Sequence, residues 1–165
     1  MSDKVAAMSI LANVHSCTEA EALRNEVLTK FYDDAEGDAL VLNKWFTIQA
    51  TASKPDVLDD VKRLTEHPEF TLKNPNRCRA LLSAFTANSA AFHQEDGSGY
   101  AFIGEKIAAL DALNPQIASR MSGSLISFKR YDGTRAAKMK EELERISQID
   151  GLSPDTFEVV SRALK

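Results

Sequence analysis

Three histidines, two cysteines and an excess of carboxylates are the residues from which this chain would have to build catalytic or metal-binding chemistry. A zinc site on a helix needs two histidines one turn apart with a glutamate between them, so that both rings face one side. His15, His67 and His93 contain no such pair. Glu66-His67-Pro68 reads as the end of a helix. His93 stands close to Glu95 and Asp96, a grouping that could supply three ligands, but the stretch reads better as a polar loop before the next helix. Cys17 and Cys78 match no metal or redox spacing. They read as reduced thiols filling small apolar spaces, which suits a reducing compartment.

Other chemistries fail on spacing. Gly97-Ser98-Gly99 lacks the longer glycine spacing, the Lys-Ser/Thr ending and the preceding strand of a phosphate-cradling loop. Its glycines suit a tight turn into a helix capped by Asp96 or Ser98. No nucleophile-elbow pattern G-x-S-x-G occurs. The adjacent carboxylates Asp33-Asp34, Asp59-Asp60 and Glu141-Glu142 diverge around a helix and so do not converge on one site. The residues offer no catalytic constellation. The polar side chains that invite a binding role are arginines beside apolar positions. Arg77 and Arg79 flank Cys78 ahead of Leu81, Leu82 and Phe85, and Arg120 lies among Ile117, Met121, Leu125 and Phe128. A guanidinium there could hold a carboxylate of the protein or of a ligand in a bidentate grip. Alternatively, it bridges helices or ties down helix ends.

The elements that must position these residues read as helix after helix. Thr18-Glu-Ala-Glu21 has the form of a capping box opening a helix with Leu23, Val27, Leu28 and Phe31. Leu40, Val41, Leu42, Trp45, Phe46 and Ile48 make the next helix apolar on more than one face, the pattern of an element sandwiched at the core. Ser53-Lys-Pro55-Asp56 starts another, with Val57, Leu58, Val61 and Leu64 inward, and His67-Pro68 stops it. Asn74-Pro75, Asn114-Pro115 and Ser153-Pro154 each place a capping side chain before a proline at the first helical position. Ser122-Gly123-Ser124 is expected within the helical run after Pro115.

Tyr100, Ile103, Ile107 and Leu110 form one apolar stripe, and Ala136, Met139, Leu143 and Ile146 another, with Lys138–Glu142 and Glu141–Arg145 spaced for ion pairs. Phe157, Val160 and Leu164 are expected to anchor the last helix. No strand-like alternation occurs. The expectation is an all-α fold of about nine or ten helices, each roughly 10–17 residues long, as antiparallel helix pairs stacked into a curved α-superhelix of the HEAT/armadillo type.

The 165 residues suffice for one domain, and 44% apolar with 27% charged residues is ordinary for a globular protein. A net charge of −4 argues against a general affinity for nucleic acid. No segment approaches the roughly 20 apolar residues of a membrane span. The N-terminus lacks the basic start and apolar stretch of a signal peptide. The expected setting is a soluble, cytoplasmic one.

Several motifs, in order, resemble the end of the bacterial-type aminopeptidase N. They are Asn43-Lys-Trp45-Phe46, Phe70-Thr-Leu-Lys-Asn74-Pro75-Asn76-Arg77-Cys78-Arg79, and Ala90-Ala-Phe-His93-Gln-Glu-Asp96-Gly-Ser-Gly-Tyr100. Leu113-Asn114-Pro115-Gln116, Ala118-Ser-Arg120, Lys129-Arg-Tyr-Asp132 and Glu158-Val-Val-Ser-Arg-Ala-Leu164 continue the match over nearly the whole chain. Members of that family are zinc exopeptidases that remove N-terminal residues from peptides. The family's HExxH zinc motif and GAMEN motif are not in this sequence.

The resemblance implies that residues 1–165 are a single helical domain, the C-terminal half of the family's helical C-terminal domain, without the catalytic zinc domain. It implies no cofactor in this chain, one zinc ion in the parent's catalytic domain, and no enzymatic activity of the chain alone. By resemblance, the chain caps the catalytic cleft and lines the substrate chamber. Arg79 and Arg120 would face that chamber, with Arg77 the less favoured neighbour. The implied partners are the catalytic domain of the same polypeptide and peptide substrates, with self-association of the severed half-domain through its bared face. A freestanding helical-repeat interaction module is the alternative reading.

Overall fold

The computed structural model describes residues 2–15 and 17–165 and contains, among them, helices and turns but no strand. The chain divides into two compact units, Met1–Ala91 and Phe92–Lys165.

The first unit runs α1 (Ser2–Leu11), α2 (Thr18–Asp33), α3 (Ala39–Ala50) and α4 (Val57–Thr65). A one-turn α5 (Pro75–Cys78), a π-helical turn (Arg79–Ser83) and a one-turn α6 (Ala84–Ala87) follow as one unbroken coil. The short α7 (Ser89–Phe92) follows, with its last residue the first of the second unit. The doubly apolar α3 is the central element, touching α1, α2, α4 and the π turn. Val41, Leu42, Trp45, Phe46 and Ile48 are all buried on it, together with Val57, Val61 and Leu64 of α4 and Leu81, Leu82 and Phe85. The Trp45 indole donates to the Leu28 carbonyl at 2.9 Å, which satisfies its buried N–H. Lys54 is buried before α4, its ammonium held by Asp56 at 2.9 Å and Asp60 at 2.8 Å.

The second unit contains α8 (Ser98–Asp111), α9 (Pro115–Ser122), a 3-10 turn (Phe128–Arg130), α10 (Gly133–Ser147) and α11 (Pro154–Leu164). Here α8 packs on α9 and α10, and α11 packs on the same two helices. The stripe Tyr100, Ile103, Ile107 and Leu110 is wholly buried, facing Met139, Leu143 and Ile146. The three proline entries form as their chemistry requires. The side chains of Asn74, Asn114 and Ser153 each accept from backbone N–H groups of the first turn.

Other expectations are corrected. Cys17 carries the extended backbone of the cap position, so Thr18 is already helical and no capping box forms. Helix α4 begins at Val57, and Asp56 makes no cap bond because its carboxylate lies on Lys54. Three α segments, α5, α6 and α7, are single turns of 4 residues, the first two flanking the π turn. Ser122 ends α9, so Gly123 and Ser124 lie in a turn. On α10 the Lys138 ammonium is drawn to the Asp96 carbonyl at 2.7 Å, and the ion pairs are instead Glu142–Arg145 and Lys140–Glu144. Phe157 is 51% exposed; its inward place on α11 is taken by Thr156. Leu23 and Leu40 also face outward.

Both cysteines are free. Cys17 is exposed, while Cys78 is fully buried and directs its S–H at the Leu72 carbonyl. Burial pushes the Cys78 thiol up to about 11.

Candidate functional site

Arg77 and Arg79 sit two residues apart on the coil that starts at Pro75, yet their settings are opposite. Arg77 is 4% exposed. Its Nε donates to the Glu69 carbonyl at 3.0 Å, and its Nη1 donates to the Ala39 carbonyl at 3.0 Å and to the Asn43 side chain. The Glu69 carboxylate lies 3.6 Å away, and the guanidinium lies over the Phe46 ring at 5.5 Å. Arg77 thus ties the loop before Pro75 and the start of α3 together, the planar fork matching acceptors on both.

Arg79 is exposed between buried Cys78 and Ala80, and its side chain has no hydrogen-bond or ion-pair partner among the described residues. It opens the π turn, in which the Ala84 N–H reaches back to the Arg79 carbonyl. The Thr47 hydroxyl of α3 donates to the adjacent Ala80 carbonyl at 2.9 Å. A side chain inserted into a helix ladder is a recognised cause of such local widening. Arg120 belongs to the second unit, in the last turn of α9. It too is exposed, without a partner among the described residues, beside buried Ala118 and Met121.

His67 and His93 are engaged in packing, whereas His15 is exposed with its Nδ1 2.7 Å from the Asn13 carbonyl oxygen. His93 Nδ1 lies 2.9 Å from the Tyr100 hydroxyl and Nε2 lies 2.8 Å from the Tyr131 hydroxyl, with the Tyr131 ring stacked on the imidazole. Arg135 donates to the His93 carbonyl at 2.8 Å. Burial, and then the Arg135 cation, hold the His93 imidazole below its ordinary value. A neutral ring fits this place by accepting from one hydroxyl and donating to the other. Glu95 and Asp96 do not join it: among the described residues, no group of three His, Cys, Asp or Glu side chains could hold a metal ion. His67 packs against Tyr32, Trp45 and Phe46 and accepts from the Glu69 N–H at 3.1 Å. No described helix is long and apolar enough to cross a membrane.

Two polar features had no sequence signal. One is the tyrosine clamp on His93. The other is Asp111 at the end of α8, which accepts from the Ser153 N–H at 2.8 Å, the Ser153 hydroxyl at 2.5 Å and the Thr156 hydroxyl at 2.5 Å. Gly97 makes the turn into α8 with φ +75° and itself takes the cap position expected of Asp96 or Ser98, while Asp96 accepts from the Ser98 N–H at 3.0 Å and Gly99 already lies in the helix. A side chain at Gly99 would stand 2.6 Å from the Phe92 carbonyl oxygen.

The comparisons with known proteins agree on one family. The model of a domain of unknown function described as DUF3458_C ARM repeats matches residues 1–165. The chain is 42% identical to aminopeptidase N of Escherichia coli (strain K12) over 166 residues, covering 99% of this chain and 18% of that protein. It is 40% identical to aminopeptidase N of Haemophilus influenzae, covering 100% of this chain and again 18% of the relative. A solved structure of Legionella pneumophila aminopeptidase A in complex with aspartic acid superposes with a TM-score of 0.89 at 33% identity, over 99% of this chain and 19% of that one. The chain spans less than a fifth of the relatives it matches. This chain belongs to the DUF3458_C ARM-repeat family, the all-helical C-terminal domain found in aminopeptidase N.

Proposed function

We propose that this chain is the non-catalytic part of a longer zinc aminopeptidase, a helical wall that caps the catalytic cleft and lines the substrate chamber. The observation that carries the reading is the match over the whole chain to relatives about five times its length that are aminopeptidases. On this reading residues 1–165 form one domain, the C-terminal half of the helical C-terminal domain. The catalytic domain of the same polypeptide holds the one zinc ion and removes N-terminal residues from peptides in a cytoplasmic setting. Alone, the chain turns over no aminoacyl chromogenic substrate with zinc added; turnover above a buffer blank would sink that part.

Arg79 and Arg120 are the chamber residues of this reading. Each is an exposed guanidinium with no carboxylate on it among the described residues, so each is free to meet the C-terminal side of a peptide. Arg77 is the weaker candidate because its donors already serve Glu69, Ala39 and Asn43. In the full-length enzyme, Arg79→Ala and Arg120→Ala should alter the preference for peptide length more than turnover of a one-residue substrate. Equal losses on both substrates would overturn the chamber role. The bared apolar surface, with Ile10 70% and Leu40 72% exposed, favours self-association of the isolated chain. Sedimentation showing a monomer at all concentrations would count against that.

A further inference from the structure

The π turn holds Arg79 by its backbone alone. Its side chain has no partner among the described residues, so the region that the guanidinium can reach is set by where its Cα sits. Two ties to α3 fix that backbone from either side. Two residues before Arg79, buried Arg77 grips the Ala39 carbonyl and Asn43 at the start of α3. One residue after it, the Ala80 carbonyl accepts the hydroxyl of Thr47, one turn further along the same helix. A threonine in a helix commonly returns its hydroxyl to a carbonyl of its own preceding turn, as Thr51 does to Thr47. Thr47 instead reaches across to another element. Between these ties, the Ala84 N–H bonds the Arg79 carbonyl, five residues back, in place of the α-helical Ala80.

We propose that Thr47 is a positioning residue for Arg79: its bond to the Ala80 carbonyl keeps the π turn open and sets where the Arg79 guanidinium meets the peptide. Thr47 itself touches no substrate. The proposal rests on the chamber role of Arg79 for its functional consequence, and on the geometry of α3 and the π turn for its mechanism. Valine in place of Thr47 keeps the branched shape and deletes only the hydroxyl. Without it, the Ala80 carbonyl is free to take an α-helical partner, and the coil from Pro75 tightens. Serine retains the hydroxyl.

The test uses the full-length enzyme with Thr47→Val, Thr47→Ser and Arg79→Ala, together with a crystal structure of Thr47→Val and melting temperatures for all. In Thr47→Val, the Ala84 to Arg79 bond should be replaced by an α-helical one and Arg79 displaced. KM for a tetrapeptide should rise roughly three- to tenfold relative to that for a one-residue substrate, with kcat less affected. Thr47→Ser should restore both, and Thr47→Val added to Arg79→Ala should cause no further rise. An intact π turn with Arg79 unmoved in Thr47→Val overturns the proposal. So does a rise in KM that persists unchanged on top of Arg79→Ala. If Thr47→Val moves Arg79 but Arg79→Ala leaves peptide KM unaltered, the positioning stands and the chamber role of Arg79 falls.

Discussion

The Thr156 hydroxyl on α11 lies 2.5 Å from the Asp111 carboxylate at the end of α8, and Ser153 reaches the same carboxylate with both its N–H and its hydroxyl. One buried anion thereby holds the start of the last helix. Burial alone would raise the Asp111 pKa, but the hydrogen bonds from Ser153 and Thr156 outweigh it and hold the carboxyl below the usual carboxylate range.

Asp111→Asn should therefore destabilise the chain by about 1.5–3 kcal/mol, the usual worth of bonds to a charged group. The urea midpoint at neutral pH checks it. The folded pKa is depressed, so this stabilisation is complete above the unfolded aspartate value and is lost as pH falls through the folded one. A variant whose stability at pH 7 matches the parent would refute the anchoring role.

His93 and His67 both titrate below their ordinary value because burial disfavours the imidazolium. A histidine depressed by folding stabilises fully above its unfolded pKa of about 6.5 and progressively less as pH falls below it. Stability should decline from pH 7.5 to pH 5.5. In the His67→Gln/His93→Gln double variant that part of the slope should vanish. An unchanged slope would assign the acid sensitivity elsewhere.

The three arginines should separate cleanly by stability. Arg77→Ala strands the Ala39 and Glu69 carbonyls and the Asn43 side chain, and should cost about 2–4 kcal/mol. Arg79→Ala and Arg120→Ala remove exposed side chains without partners among the described residues and should stay within about 0.5 kcal/mol of the parent. Thermal melts of the three variants decide it; a large loss in Arg79→Ala would mark that residue as structural.

Gly99→Ala and Gly133→Ala make a contrasting pair. At Gly99 the new methyl meets the Phe92 backbone carbonyl at 2.6 Å, which no rotamer change relieves. The expected loss is about 1–3 kcal/mol, the usual cost of overpacking. At Gly133 nothing lies within 4 Å, so alanine at the start of α10 should be neutral or stabilise by up to about 1 kcal/mol. Equal melting temperatures for the two variants would contradict the close approach of α8 to Phe92.

The helical class, the central place of α3 and the three proline-opened helices were readable because each depends on local chemistry or on a period of apolar residues. Asn74, Asn114 and Ser153 cap as their sequence positions suggest, since the cap bond involves only the next few N–H groups. Thr18 failed because the extended backbone that makes a cap lies one residue earlier, at Cys17. Lys138 failed for a different reason. Its expected partner one turn along lost to a carbonyl 42 residues away, which no pattern within the helix reveals. The same holds for Thr47 with Ala80 and for His93 with Tyr131, where the partners lie 33 and 38 residues apart. Composition and spacing alone do not separate Arg77 from Arg79, whereas burial and the bonds to Glu69, Ala39 and Asn43 do.

The contrast between the two thiols gives each molecule a natural reporter position. Cys78 is sealed from solvent and held protonated at neutral pH, whereas Cys17 is open at the head of α2. A maleimide dye added to the folded chain should therefore attach once, at Cys17, and a second equivalent should couple only after the first unit has come apart. Labelling stoichiometry thus becomes a clock for the opening of that unit, with no engineered residue required.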